Sequence, residues 1–201
     1  NQIISDLSFT VEKRDILIAA KIIVRLAIAR TDKDDGLTLK EARNCLRKMN
    51  DDNRRDAIYE LMNIGNNKRY GWLEYVIPFI TNAWPRERVY RTSNLSLAWL
   101  RLLEASGDNL PAVLKTVSRF IVPITEDLHW LYSYGQEKGD KASLIVQYPS
   151  EILELLTLTI PNNSTTLPYN LKEVLVQIKE SNSSMAQDHR YIRLINLFEE
   201  C

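Results

Sequence analysis

Apolar residues along this chain recur every three or four positions, in runs separated by short polar turns. That is the period of helices burying one face. The first run predicts a helix over about 11–30 with Thr10 as cap. Ile16, Ala19, Ala20, Ile23, Leu26 and Ala27 form one stripe; Leu17, Val24 and Ile28 form a second, so this helix is expected to pack on two sides. Thr38 and Glu41 read as a capping box opening a helix to about Met49. Asn50 or Asp51 caps a third, with Ala57, Ile58, Leu61 and Met62 inward and Gly65 at its end. A fourth helix, Tyr70 to Ala83, contains Pro78, which predicts a kink or break near Glu74–Ile77 because proline removes a backbone donor.

The clearest punctuation lies between Pro78 and Pro123. Trp84 stops at Pro85, and a basic connector follows with Arg86, Arg88 and Arg91. Ser93 is expected to cap a helix whose face is Leu95, Trp99, Leu102 and Leu103, closed by Gly107. Asp108 or Asn109 caps the next, with Pro111 in its first turn and Leu110, Val113, Leu114, Val117, Phe120 and Ile121 on one face.

Beyond Pro123, Glu126 to Tyr134 reads as one or two helical turns. Lys141 to Tyr148 is a short helix or a strand at Leu144–Val146. Ser150 is expected to cap a helix burying Ile152, Leu153, Leu155 and Leu156, and Asn170 starts one burying Leu171, Val174, Leu175 and Ile178. Ser181 to Gln187 reads as a flexible turn; Asp188 to Glu200 closes the chain with Tyr191, Leu194, Ile195 and Phe198 inward.

The prediction is an all-α protein of antiparallel helix hairpins, an irregular solenoid or bundle, since hairpins recur at roughly 30–45 residues. It is read as one domain over 1–201, divisible into subdomains 1–71 and 72–201.

Composition narrows the chemistry. Apolar residues make up 45% and charged residues 26% of the 201, as in ordinary globular proteins. Six glycines leave little room for a Gly-rich phosphate loop. The formal net charge is zero, with 17 Lys+Arg against 13 Asp+Glu in 1–100 and 9 against 13 in 101–201, an asymmetry too mild for a dedicated nucleic-acid binder. Cys45 and Cys201 form no metal-ligand spacing, and Cys45 falls on the face of Ala42, Leu46 and Met49 as a buried free thiol, which fits a reducing cytosol. The sequons at Asn94, Asn162, Asn163 and Asn182 matter only in a secreted eukaryotic chain. The run Ile16–Ala29, interrupted by Lys21 and Arg25, is shorter than the ~20 apolar residues of a membrane span. The chain opens Asn1-Gln2 without a Met or signal peptide and is expected to be a piece of something longer.

Candidate chemistry is sparse. Asp32 to Gly36 invites a calcium reading, but with Gly36 at the sixth loop position the first is Thr31, the third Lys33 and the twelfth Ala42, which are not ligands. His129, beside Trp130 and near Asp127, and His189, beside Asp188, have no nucleophile on a recognisable elbow; a packed or half-exposed His129 and a capping Asp188 are the simpler readings. Arg190 and Arg193 are expected to be solvated or paired. No metal site and no cofactor is expected. Trp72, Trp84, Trp99 and Trp130 are expected in the core, with one exposed anchor as the alternative.

Two series of residues carry a resemblance. The first is Trp84-Pro-Arg-Glu-Arg88, Trp99-Leu-Arg-Leu-Leu103, Gly107-Asp-Asn-Leu-Pro111 and Val122-Pro123; the second is Tyr148-Pro149 with Leu153–Leu156, and Asp188-His-Arg-Tyr-Ile-Arg-Leu194. Together they resemble the helical C-terminal regions, of unknown function, of large bacterial proteins with sirtuin-like NAD-consuming or nucleotide-binding N-terminal parts, some linked to defence against phage. The resemblance covers about residues 72–200 and implies assembly or sensing beside an enzyme elsewhere, with no catalytic residue here.

The expected function is a non-catalytic interaction or assembly domain of a larger bacterial cytoplasmic protein, partnered by an upstream domain of the same chain or another protein, away from membranes. The alternative is a nucleic-acid-contacting module using Arg54, Arg55, Lys68, Arg69, Arg86, Arg88 and Arg91. Arg86, Arg88 and Arg91 are the candidate binding residues. They either mark a contact surface for an acidic partner or solvate the turn while pairing with Glu87, Glu104 or helix C-terminal carbonyls.

Overall fold

A computed structural model describes residues 13–33, 36–68, 71–124, 133–137, 142–162, 164, 167–168 and 170–200. Among them all regular structure is helical. The chain divides into two compact units, Asn1–Tyr90 and Arg91–Cys201. A division expected at 71/72 would fall inside the first unit, where Trp72 packs on Gly65.

In the first unit, α1 (Lys13–Lys33) packs against α3 (Asp51–Asn67) and α2 (Leu39–Lys48). Its buried stripe is Ala20, Ile23, Val24, Ala27 and Ile28. Leu26, expected inward, is 39% exposed, and Ile22 beside it 36%. The helix thus buries Val24 and Ile28 of the second stripe together with most of the first, and leaves Ile22 and Leu26 open.

Gly36 (φ +113°) closes the following loop onto α1: a Cβ there would stand 2.3 Å from the Leu26 carbonyl oxygen. The neighbouring Leu37 N–H donates to that same carbonyl at 3.3 Å. The Thr38–Glu41 capping box is present, and Asn50 caps α3 by accepting from the Asn53 N–H at 3.0 Å. α3 continues past Gly65, its expected end, to Asn67. Met62 is half-buried.

The expected disturbance ahead of Pro78 takes a specific form. Trp72–Val76 is a π-helical turn, and Ile77–Ala83 (α4) resumes α-helix. Pro78 has no N–H for the Glu74 carbonyl, and the wider turn falls where the regular ladder would fail. α4 packs against α2.

The second unit begins with the helix pair α5 (Ser93–Ser106) and α6 (Leu110–Val117), joined by a 3-10 turn at Gly107–Asn109. Leu95, Trp99, Leu102 and Leu103 on α5 are fully buried, as are Val113 and Val117 on α6. Trp99 stacks on Phe120 with centroids 5.8 Å apart. The α5 cap is Thr92, one residue before the expected Ser93: Thr92 Oγ1 accepts from the Leu95 N–H. Gly107 ends α5 at φ +50°, a conformation glycine adopts without penalty. Asn109 holds the cap position of α6 but its amide donates back to Ser106 O.

Four more packings tie the later helices of this unit together. α7 (Leu144–Gln147) is helical, which decides against the strand alternative. It packs on α8 (Pro149–Thr159) and α9 (Leu171–Ser181), and α8 packs on α6 and on α10 (His189–Glu200). Tyr148, not Ser150, is the cap residue of α8, because Pro149 already holds the first helical position. Residues 183–187, expected flexible, form a 3-10 turn whose start is capped by Asn182. On α10 the buried residues are Tyr191, Leu194 and Leu197, while Phe198 is 37% exposed.

Candidate functional site

For several of the basic residues singled out by sequence the structure shows a partner. Arg54 lies in the second turn of α3, yet points back at α2. Its Nε donates to Leu46 O at 3.0 Å, Nη2 to Arg47 O at 3.2 Å and Nη1 to Asp51 Oδ1 at 2.7 Å. The Tyr90 ring centroid lies 4.2 Å from its Cζ, and Tyr90 OH donates to Arg47 O. Arg54 is 5% exposed. A planar cation with a fork of donors here serves the unsatisfied carbonyls at a helix C-terminus.

The same arrangement recurs on α4. Arg43 donates to Asn82 O at 2.5 Å and Arg86 to Thr81 O at 2.6 Å. Arg47 pairs with Glu87. The Glu87 backbone N–H and the Arg47 guanidinium hold that carboxyl below its ordinary value. Arg86 therefore does what the simpler reading gave it, bonding a helix C-terminal carbonyl. Arg88 is exposed in the 3-10 turn Arg88–Tyr90. Arg86 and Arg88 belong to the first unit; half-buried Arg91 opens the second.

Of the wider basic set, Arg55 pairs with Asp52 at 3.2 Å, and Lys68 Nζ sits 4.1 Å from the Tyr75 ring centroid. Arg69 lies outside the described residues, as do Asp127, His129, Trp130 and the acidic residues Asp34 and Asp35. Trp72, Trp84 and Trp99 are buried.

In the second unit Asp188 caps α10: its Oδ1 accepts from the Arg190 N–H at 2.8 Å. Arg190 returns two side-chain donors to the same carboxylate and reaches Ser150 O and Oγ on α8. The Arg190 guanidinium beside it holds the Asp188 carboxyl at about 2. The His189 side chain is 92% exposed. Arg193 donates to Ile160 O at the end of α8 at 2.5 Å, and burial lowers its affinity for the proton. Tyr134 OH donates to Leu100 O, and burial pushes its phenol well up.

Two groups stand outside these contacts. Asp56 is 8% exposed with Oδ2 buried and without a hydrogen bond among the described residues, and burial pushes its carboxyl up. Cys45 is half-buried, and burial pushes its thiol up, away from the reactive thiolate. Among the described residues no group of three or more His, Cys, Asp or Glu is placed to hold a metal ion. No described helix is long and apolar enough to cross a membrane.

One concavity was not visible in the sequence. A groove of about 430 Å³ runs between α1 and α3, lined by Arg25, Ile28 and Ala29 from one side and Glu60, Asn63 and Ile64 from the other. Arg25 Nε donates to Glu60 Oε1 at 2.6 Å; Glu60 is buried, whereas the Arg25 side chain is 68% exposed. The signal for it, Arg25 and Glu60 facing each other across two helices, needs the helix pairing before it can be read.

No family model matches the chain, and no solved structure matches it. Over 184 residues, 88% of this chain, it is 23% identical to the uncharacterized protein y4cA of Sinorhizobium fredii. The match covers 15% of that relative, so the chain spans a small part of its length.

Proposed function

We propose that this chain is a non-catalytic helical interaction or assembly domain of a larger bacterial cytoplasmic protein. The observation that carries the reading is where its buried and half-buried arginines go. Arg54 and Arg193 bond backbone carbonyls at helix ends, and Arg190 locks α10 to α8. These side chains build a scaffold rather than converge on a shared point where a substrate could react. The match to a small part of a longer bacterial relative supports a role within a larger polypeptide. The resemblance to C-terminal regions of sirtuin-like or nucleotide-binding proteins supports the same reading and extends it towards phage defence.

A nucleic-acid module draws less support, because Arg54 is spent on α2 and Arg55 is paired with Asp52. The test compares the full-length gene product with a version lacking this segment, by mass photometry. Loss of the native assembly on deletion supports the proposal. An unchanged assembly, or turnover of a substrate by the segment alone, contradicts it.

A further inference from the structure

We propose that the end of the first unit where α2 and α4 stop, with the turn from Arg86 to Tyr90 beside it, binds an acidic protein segment. The inference rests on the reading of the chain as an interaction domain and names the chemistry of its partner. The surface differs from the one expected at Arg86, Arg88 and Arg91. Arg91 opens the second unit, and the cations that gather here are Arg43, Arg47 and Lys48 of α2 with Arg86 and Arg88 of the turn. Contacts within the unit bring them together: Arg43 reaches Asn82 O and Arg86 reaches Thr81 O at the end of α4, and Arg47 pairs with Glu87. Lys48 follows Arg47, whose carbonyl accepts from Tyr90 OH.

The carboxylates at this end are already taken. Asp51 accepts from Arg54, Asp52 from Arg55 and Glu87 from Arg47. Glu41, the carboxylate of α2, is bonded to Thr38 at the other end of that helix. Positive charge is left over. Arg43 donates to the Asn82 carbonyl, which carries no charge to offset it. Lys48 and Arg88 are exposed and have no ion-pair partner among the described residues. The surplus is local, because the chain as a whole has a formal net charge of zero. Opposed charge of this kind selects a partner and fixes its register.

The turn is held before any partner arrives. Glu87 is tied to Arg47, the Tyr90 N–H donates to Glu87 O at 3.1 Å, and the Tyr90 ring lies against Arg54. Arg88 and Val89 are exposed on it, Val89 at 74%. A surface ordered beforehand loses little conformational freedom on binding. Glu87, between Arg86 and Arg88, is 42% exposed, so a continuous phosphate backbone would meet a carboxylate in the middle of the turn. A protein segment sets its carboxylates singly and has apolar side chains to cover Val89, so the arrangement favours an acidic protein over a nucleic acid.

The test titrates the intact chain with two fluorescein-labelled peptides of equal length around a central leucine, one rich in aspartate and glutamate and the other in lysine. A labelled single-stranded oligothymidylate is the third probe. The acidic peptide is expected to bind at least about tenfold more tightly than the basic one, and more weakly as salt rises. Arg88→Glu combined with Lys48→Glu should weaken it by about tenfold or more, while circular dichroism stays unchanged. Lys115→Glu, exposed on α6 in the second unit, should leave the affinity as it is. Equal affinity for the two peptides, no binding of the acidic one, binding indifferent to the double reversal, or an equal loss in Lys115→Glu overturns the proposal. Tighter binding of the oligothymidylate than of the acidic peptide, lost in the double variant, overturns it in favour of a nucleic acid. If deletion of the segment dissolves the full-length assembly while the acidic peptide fails to bind, the surface assignment falls and the interaction domain stands.

Discussion

The indole of Trp72 fills the space beside Gly65 in which any other residue would place its Cβ. A methyl carbon built there stands 2.5 Å from the ring Cε2, inside contact distance. The ring belongs to the π-helical turn that precedes Pro78. Gly65 in α3 and the irregular turn are therefore one device, holding the segment that leads into α4 against α3.

Gly65→Ala should consequently destabilise the first unit despite alanine's better helix propensity. Overpacking of this kind costs about 1–3 kcal/mol, against roughly 1 kcal/mol gained from propensity. Urea unfolding should show a lower midpoint, partly restored by Trp72→Leu in the same chain. A more stable Gly65→Ala variant would mean the ring is not held there.

Removing Arg54 should cost more than an ordinary arginine truncation. Arg54→Met removes the donors to the Leu46 and Arg47 carbonyls and to Asp51 Oδ1. Hydrogen bonds from charged groups contribute about 1.5–3 kcal/mol each. Arg54→Lys, which keeps the charge but not the fork, should recover less than half of the loss. The measurement is the unfolding free energy of the three proteins.

Two aspartates should respond to pH in opposite senses. Asp188 is held at about 2 against an ordinary 3.8, so it stabilises the folded chain above that ordinary value. The stabilisation is lost as pH falls from about 4 towards 2, because the unfolded state then binds the proton more readily. The margin by which the native chain exceeds Asp188→Asn in melting temperature should shrink across that window and be level above it.

Asp56 is pushed upward by burial, so the folded state favours its neutral form and stability falls as pH rises past the ordinary 3.8. Asp56→Asn should be at least as stable as the native chain at neutral pH and lose that advantage below about pH 4. Equal pH profiles for the two proteins would contradict the burial of this carboxylate. Lys21 and Arg55 pull the group the other way, and Asp52 adds to the upward push.

Leu102 lies fully buried on the face of α5 shared with Leu95 and Trp99. Leu102→Ala should cost about 2–5 kcal/mol. A loss below roughly half a kilocalorie, the surface range, would place that face in solvent.

Much of this fold was legible because caps and faces are local. Thr38 with Glu41, Asn50, Gly107 and the α5 and α6 faces each rest on residues a few positions apart. Adjacent hydroxyls blurred the starts: Thr92 precedes Ser93, and Pro149 takes the first helical position before Ser150 can cap. The apolar residues Leu26 and Phe198 were misplaced because periodicity records where a stripe lies and not whether another element covers it. The π-turn was foreseen only as a break near Pro78, since the wider ladder leaves no period of its own in five residues. Least legible were the arginines. Whether Arg54 faces solvent, nucleic acid or a helix end depends on where α2 ends relative to α3, which no pattern within α3 contains. The groove depends likewise on the pairing of α1 with α3.

The most direct test of the proposed interaction role is a calorimetric titration of this chain against the remainder of the longer protein proposed to contain it, expressed as a separate polypeptide. Saturable binding at micromolar affinity or tighter, restoring the native assembly, is the expected result. Absence of binding at concentrations where the full-length protein assembles would contradict it.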